Sequence, residues 1–275
     1  LEVKSRTSVA AYHGYNYLLA RENLTDHLEK KDKINKVRQR LLKIRAKKVI
    51  LATGALERPL VFNNNDRPGI MLSTAVKKYA DFFGVKCGEK NVFFTNNDSA
   101  YESALCLHNK GIKVNAIIDI RNNSNSKIVK AVEQAGIKIY WSHTIVDTNG
   151  YRRLNNISIM KLSNDGMTVT GNRINISCDC LGVAGGWTPA VHLFTQSGGK
   201  LKFDEDNNVF LPNKYPSDQI SVGSCDGNFN LKEIINELSV KLKEFLKINQ
   251  TDFDNITVDS EEETSKRNIW LLPSD

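Results

Sequence analysis

The sequence predicts an α/β protein of two domains built on parallel, doubly wound sheet. Three observations carry that prediction. Short runs of β-branched and aliphatic residues at 48–51, 91–95, 114–118 and 178–184 each end in small or polar residues, as strands covered on both faces do. The runs at 91–95, 114–118 and 137–141 alternate with helical patterns at 100–109 and 127–134, the rhythm of βαβ units. The chain, at 275 residues, exceeds the usual size of one domain.

Taken in order, residues 3–12 and 15–21 are rich in Thr, Val and Tyr and read as two strands turning at His13-Gly14. Residues 38–46 add a third, making an antiparallel layer ahead of the strand 48–51. That strand runs into Ala52, Thr53 and Gly54, whose small side chains leave the main chain bare and whose glycine can take a backbone region closed to other residues. Such strand ends are where α/β sheets bind ligands; a tight turn with no ligand fits the same residues.

Beyond the turn formers at 63–69, apolar residues recur at helical spacing over 72–83, with Ser73 as N-cap. A strand at 91–95, a helix closed by Gly111 and a strand ending at Asp119 complete a βαβ unit of Rossmann type. A helix at 127–134 and a strand at 137–141 continue it. Residues 146–161 and 167–176 form a meander with turns at Asn149-Gly150 and Asp165-Gly166. The strand 178–184 leads to Gly185-Gly186, and the strand 219–223 leads to Ser224 and an amphipathic helix over 231–246. The polar, acidic stretch 249–275 is expected to be a linker toward a domain outside this sequence.

Composition narrows the function classes. A hydrophobic fraction of 40% and a charged fraction of 25% are ordinary, and no apolar run approaches the roughly 20 residues needed to cross a bilayer. The net charge of +7 is not gathered into a phosphate track: the densest cluster, 30–48, is interrupted by Asp32, Asn35 and aliphatic residues. No nucleic-acid or membrane partner is expected. Five cysteines with no C-x-x-C spacing read as reduced packing residues of a cytoplasmic protein. The five histidines are isolated, so no metal is expected.

Three places remain as binding candidates. Asp119 ends the second strand of the βαβ unit, where a carboxylate accepts bonds from ribose hydroxyls. The loop before it lacks the glycine fingerprint: Asn96, Asn97 and Asp98 stand there, and an acid at a helix N-terminus caps the helix while repelling phosphate. The unit is either a purely structural Rossmann fold or a working nicotinamide site in which the two asparagine amides replace glycine contacts. Gly185-Gly186 fits a hinge or a ligand-facing pair, and Gly223-Ser224 opens toward a helix whose N-terminus suits a diphosphate. Capping of that helix by Asp226 or Asn230 fits equally well. Paired carboxylates in a matched setting, or a nucleophile beside a base, are missing, so no catalytic residue is expected on this chain.

The blocks at 51–62, 65–72, 94–101, 185–193 and 196–201 resemble the α subunits of heterotetrameric sarcosine oxidases, flavoproteins with two dinucleotide-binding domains. The likeness runs from about Tyr12 to Leu246, marks the chain as an internal fragment of such a subunit, and implies two domains: 1–62 with 178–248, an incomplete FAD/NAD(P)-binding domain, and 63–177, an inserted three-layer Rossmann-like domain. It implies oxidation of sarcosine to glycine, with one-carbon transfer to tetrahydrofolate and formation of peroxide. It further implies NAD held by the α subunit, FMN at the contact with a β subunit, FAD and the chemical step in that flavin-dependent β subunit, smaller subunits completing the hetero-oligomer, and a C-terminal folate-binding domain. Carried onto this sequence, Ala52, Thr53 and Gly54 line the NAD site, with Gly223 and Ser224 opposite. Two departures stand out. The family's glycine-rich turn and folate domain are expected outside 1–275, and Ser224 stands where an acid is common, with Asp226 displaced. Alternatives are the α subunit of a related amine, opine or proline dehydrogenase, and a scaffold whose dinucleotide sites have decayed.

Overall fold

A computed structural model describes residues 2–216, 218–249, 256 and 266–274. The chain divides into two compact units, Leu1–Ala55 with Thr188–Ser260, and Leu56–Trp187 with Glu261–Asp275. It opens with β1 (Thr7–His13), β2 (Tyr17–Asn23), β3 (Gln39–Arg45), β4 (Val49–Leu51) and β5 (Ala55–Glu57). There follow β6 (Ile70–Leu72), α1 (Ser73–Asp81), β7 (Asn91–Thr95), α2 (Ser99–Asn109), β8 (Val114–Asp119), α3 (Lys127–Gln134) and β9 (Ile139–Trp141). Next come β10 (His143–Asn149), β11 (Asn156–Leu162), β12 (Val169–Ser177), β13 (Cys180–Ala184) and β14 (Trp187–Pro189). The last elements are α4 (His192–Gln196), β15 (Lys200–Asp204), β16 (Val209–Lys214), β17 (Gln219–Ser221) and α5 (Leu231–Leu246). Among the described residues no helix is long and apolar enough to cross a membrane.

The second unit is a three-layer α/β structure. Its parallel sheet has the order β6-β13-β7-β8-β9. The two-residue period of a strand sends Val92, Phe94 and Ile118 to one face, where they meet Ile145, Ile157 and Ile159 of the antiparallel meander β10-β11-β12. Phe93 and Ile117 point the other way, onto Tyr101, Ala104 and Leu107 of α2 and Val129 and Val132 of α3. Each such buried side chain is worth roughly 1.5–3 kcal/mol. The expected domain boundary at 177/178 is therefore misplaced. The strand at 180–184 lies between β6 and β7 in this sheet, and Leu60 and Phe62, given to the other domain, join the core beneath it.

The N-terminus of α1 corrects another expectation. Ser73 is the first helical residue and not its cap, and Leu72 offers no side-chain acceptor. The carboxylate of Glu57 does the capping: Oε1 accepts from the Ser73 hydroxyl at 2.6 Å and Oε2 from the Thr74 N–H at 3.0 Å. A negative charge against the positive end of a helix dipole suits that place.

The first unit holds the antiparallel sheet β1-β2-β3, the parallel pair β4-β17 and the hairpin β15-β16. Its core is Tyr12, Leu18, Val49, Leu51 and Phe194. The turn between β1 and β2 comprises Gly14, Tyr15 and Asn16, the last two with positive φ, so it includes the expected Gly14 but leaves His13 in β1. Buried Asn16 accepts from the Tyr12 hydroxyl at 2.7 Å and donates to the carbonyls of Lys47 and Asp218 at 3.2 and 3.0 Å. One side chain thus ties the hairpin to the segments that lead into β4 and β17. Contrary to expectation, β4 is covered on one face: Val49 and Leu51 are buried while Ile50 is 40% exposed.

Of the expected linker 249–275, residues 250–255, 257–265 and 275 lie outside the described residues. Its end is not a linker. Val61 and Trp270–Leu272 bond main chain to main chain, with Val61 N–H on the Trp270 carbonyl at 2.7 Å and Leu272 N–H on the Val61 carbonyl at 2.9 Å. Leu272 is buried there.

Candidate functional site

The residues singled out from the sequence fall into two groups, one in each unit. In the first unit, β4 and β17 run parallel with Leu51 opposite Ser221, so the two bare turns leave from adjoining strand ends. Ala52 and Thr53 are exposed. Gly54 has φ +72°, and no atom stands within 4 Å of the place a Cβ would occupy. Gly223, at φ +74°, opens a short 3-10 turn that contains Ser224. Two left-handed glycines and small side chains leave main chain accessible to a flat or phosphate-bearing ligand.

The neighbours brace this edge without covering it. Thr53 Oγ1 donates to the Ala190 carbonyl at 2.8 Å, and the Ala190 N–H donates to the Gly54 carbonyl at 3.0 Å. Of the two readings of the α5 N-terminus, capping by Asn230 is the one found: its Oδ1 accepts from the N–H groups of Lys232 and Glu233. Asp226, the displaced acid, is held by Lys241 at 2.6 Å.

In the second unit the expected contacts are already made. Asp119 is fully buried and is not available to a ribose. Its Oδ2 accepts from the Tyr101 hydroxyl at 2.7 Å and from Arg121 Nη2 at 2.8 Å, and its Oδ1 accepts from the Arg121 N–H at 2.8 Å. Arg121 also reaches Asp98 at 2.7 Å. Burial works against its charge, yet the two carboxylates outweigh that and keep the guanidinium firmly protonated. Burial, with Asp119 beside it, pushes the Tyr101 phenol well above its ordinary value, so it remains a donor. Asp98 is thus an ion-pair partner, and the helix it was expected to cap is served by Asn97, whose Oδ1 accepts from the Ser99 N–H at 2.8 Å.

The asparagine amides are not presented to a ligand either. Both residues are 2% exposed. Asn96 Nδ2 donates to the Arg267 carbonyl at 3.1 Å, the Arg267 N–H returns a bond to the Asn96 carbonyl at 3.0 Å, and Asn97 Nδ2 donates to Asn96 Oδ1 at 2.7 Å. The Arg267 guanidinium bonds the carbonyls of Ile120, Ser163 and Asn164. Trp270 Nε1 donates to the Gly185 carbonyl at 2.6 Å, and Arg58 stacks 4.2 Å from the centre of its ring. Residues 267–270 therefore take up the carboxyl ends of β7, β8 and β13, the edge that a doubly wound sheet offers to a nucleotide.

Gly185 is a packing position and not a ligand-facing one: a Cβ there would lie 2.8 Å from the Pro59 carbonyl oxygen and 2.9 Å from that of Arg58. Gly186, at φ +86°, has its nearest neighbour at Asn97. Sequence reasoning missed Glu57, Arg267 and Trp270. The signal for the last two was the Ile269-Trp270-Leu271-Leu272 run closing an otherwise polar tail.

Among the described residues no redox or metal centre is assembled. All five cysteines are free; Cys178 Sγ donates to the Cys180 carbonyl at 3.2 Å, and burial pushes the Cys180 thiol up to about 12. Among the described residues no three His, Cys, Asp or Glu are placed to hold a metal.

Comparison with known proteins agrees with this architecture. The chain is similar to the sarcosine oxidase subunit alpha of Corynebacterium sp. (strain P-1), at 38% identity over 227 residues that make up 82% of this chain and 23% of that protein. It is also similar to that of Rhizobium meliloti (strain 1021), at 34% over 212 residues, 77% of this chain and 20% of that protein. The chain thus spans under a quarter of the length of these relatives. In fold it is similar to L-proline dehydrogenase from P. horikoshii, with a TM-score of 0.56 and 20% identity over 89% of this chain and 42% of that one. Thioredoxin reductase from T. acidophilum scores 0.56 at 17% identity over 81% of this chain and 67% of that one. The sequence profile described as pyridine nucleotide-disulphide oxidoreductase matches residues 10–220. With well over half its length matched in this way, the chain belongs to the pyridine nucleotide-disulphide oxidoreductase family.

Proposed function

We propose that the chain is the dinucleotide-fold part of an α subunit of sarcosine oxidase type, with NAD held in the first unit. The observation that carries the reading is the pair of bare turns at the adjoining ends of β4 and β17, each with a left-handed glycine. Ala52, Thr53 and Gly54 bind one side of the dinucleotide, and Gly223 and Ser224 bind the other. Bound NAD supplies a diphosphate for main-chain donors and a nicotinamide able to accept hydride. The likeness to two sarcosine oxidase α subunits supports the reaction class, oxidation at a CH–NH bond. Demethylation of sarcosine, transfer of the one-carbon unit to tetrahydrofolate and peroxide formation then belong to the assembled protein. The chemical step falls to a flavin-dependent β subunit, with FMN at the contact between the two chains.

A second reading, a scaffold without a nucleotide, is favoured for the second unit alone, by the bonds of Arg267 and Trp270 along its sheet edge. Calorimetric titration of the chain with NAD separates the two. Saturable binding is expected, weakened about tenfold or more by Gly54→Val or Gly223→Val and unchanged by Asn97→Ala. Absence of binding, or loss of it in Asn97→Ala while the Gly54 variant binds normally, sinks the assignment to the first unit.

A further inference from the structure

The first unit carries a cavity of about 390 Å³ that the dinucleotide edge does not use. Its wall comes from β15, β16, β17, the turn after β17 and α5, and includes neither Ala52, Thr53, Gly54, Gly223 nor Ser224. That volume lies within the roughly 300–1,000 Å³ of small-molecule sites. Leu211 and Ile220 give it an apolar wall, and the Tyr215 ring adds a flat one. Tyr215 is fixed edge-on against the buried Phe194, with ring centres 4.9 Å apart and planes at 69°.

The polar part of the wall is unbalanced. Lys202, Lys241 and Asp226 line it, and Asp226 is taken by Lys241 at 2.6 Å. Lys202 makes no ion pair among the described residues. Lys241 is shared between Asp226 and Glu237, at 2.6 and 3.5 Å, so the positive charge left on the apolar and aromatic wall is that of Lys202. We propose that this cavity binds a small monoanion with an apolar body, a carboxylate of the aromatic or branched aliphatic class, its charge on Lys202 and its body against Tyr215, Leu211 and Ile220.

The test is a titration of the 275-residue chain with benzoate and with benzamide, its neutral isostere, at constant ionic strength. Benzoate is expected to bind about tenfold more tightly, the size of effect that one partly desolvated charge contact supplies. Lys202→Gln is expected to bring the ratio of the two affinities close to one, and Tyr215→Ser to weaken both probes. NAD affinity is expected to be the same in Lys202→Gln as in the parent, so failure here and failure of the dinucleotide reading give different results. Equal binding of the two probes by the parent chain, a benzoate preference that survives Lys202→Gln, or no saturable binding of either probe overturns the proposal.

Discussion

Gly54 and Gly185 both come after an apolar strand run, and the sequence offers no reason to treat them differently. Their surroundings do. Around Gly54 the space is open and φ is +72°, whereas a Cβ on Gly185 would run into the carbonyl oxygens of Arg58 and Pro59. The two alanine variants should therefore part company. Gly54→Ala is expected to cost about 1 kcal/mol, the penalty of a left-handed backbone for an L-residue, and, with NAD held as proposed, to weaken its binding. Gly185→Ala is expected to cost about 1–3 kcal/mol through overpacking and to leave NAD affinity alone. Urea unfolding followed by calorimetry on both variants checks this; a Gly185 variant that keeps its stability but loses NAD would reverse the assignment. Asp119 teaches the same lesson. Its position at a strand end was legible, but whether a carboxylate there faces a ribose or an arginine depends on Arg121, two residues further on, folding back onto it.

Elements were readable where pattern is local and long. The helices at 127–134 and 231–246 and the strand at 91–95 have a period or an apolar run that no distant contact needs to supply. The hairpin β15-β16 was missed because its alternation, Lys200-Leu201-Lys202-Phe203, sits among charged residues. The strand at 180–184 was seen, but its sheet was not, since parallel neighbours lie far apart in sequence and register leaves no local trace. Caps behave in the same way. Ser73 fits the local rule, yet Glu57, sixteen positions upstream, holds the start of α1. Glu57→Ala is expected to destabilise the protein by about 1–2 kcal/mol, the range of a lost cap reinforced by the helix dipole. Ser73→Ala is expected to cost less, because the Thr74 N–H keeps its acceptor. If the two variants unfold at the same denaturant midpoint, the capping role of Glu57 is wrong.

At the scale of the molecule, two cores of unequal size set the stability. The second unit packs two extensive clusters on the two faces of a five-stranded sheet. The first has one cluster of five buried residues and a parallel pair of three-residue strands, with Ala20, Val209 and Val222 buried outside that cluster and Leu41 and Ile50 exposed. Hydrophobic stabilisation follows buried apolar area, so the units are expected to melt separately and the first unit to melt first. The ligand provides an independent handle on which transition is which. A dinucleotide that binds only the folded first unit stabilises that unit by about 2.7 kcal/mol at a hundred times its dissociation constant. NAD should then raise the lower transition in a calorimetric scan and leave the upper one in place. The Glu57→Ala change, made within the second unit, should shift the upper transition and spare the lower. A single transition that moves as a whole with NAD would mean that the two cores unfold together, and that the ligand's free energy is shared across both units.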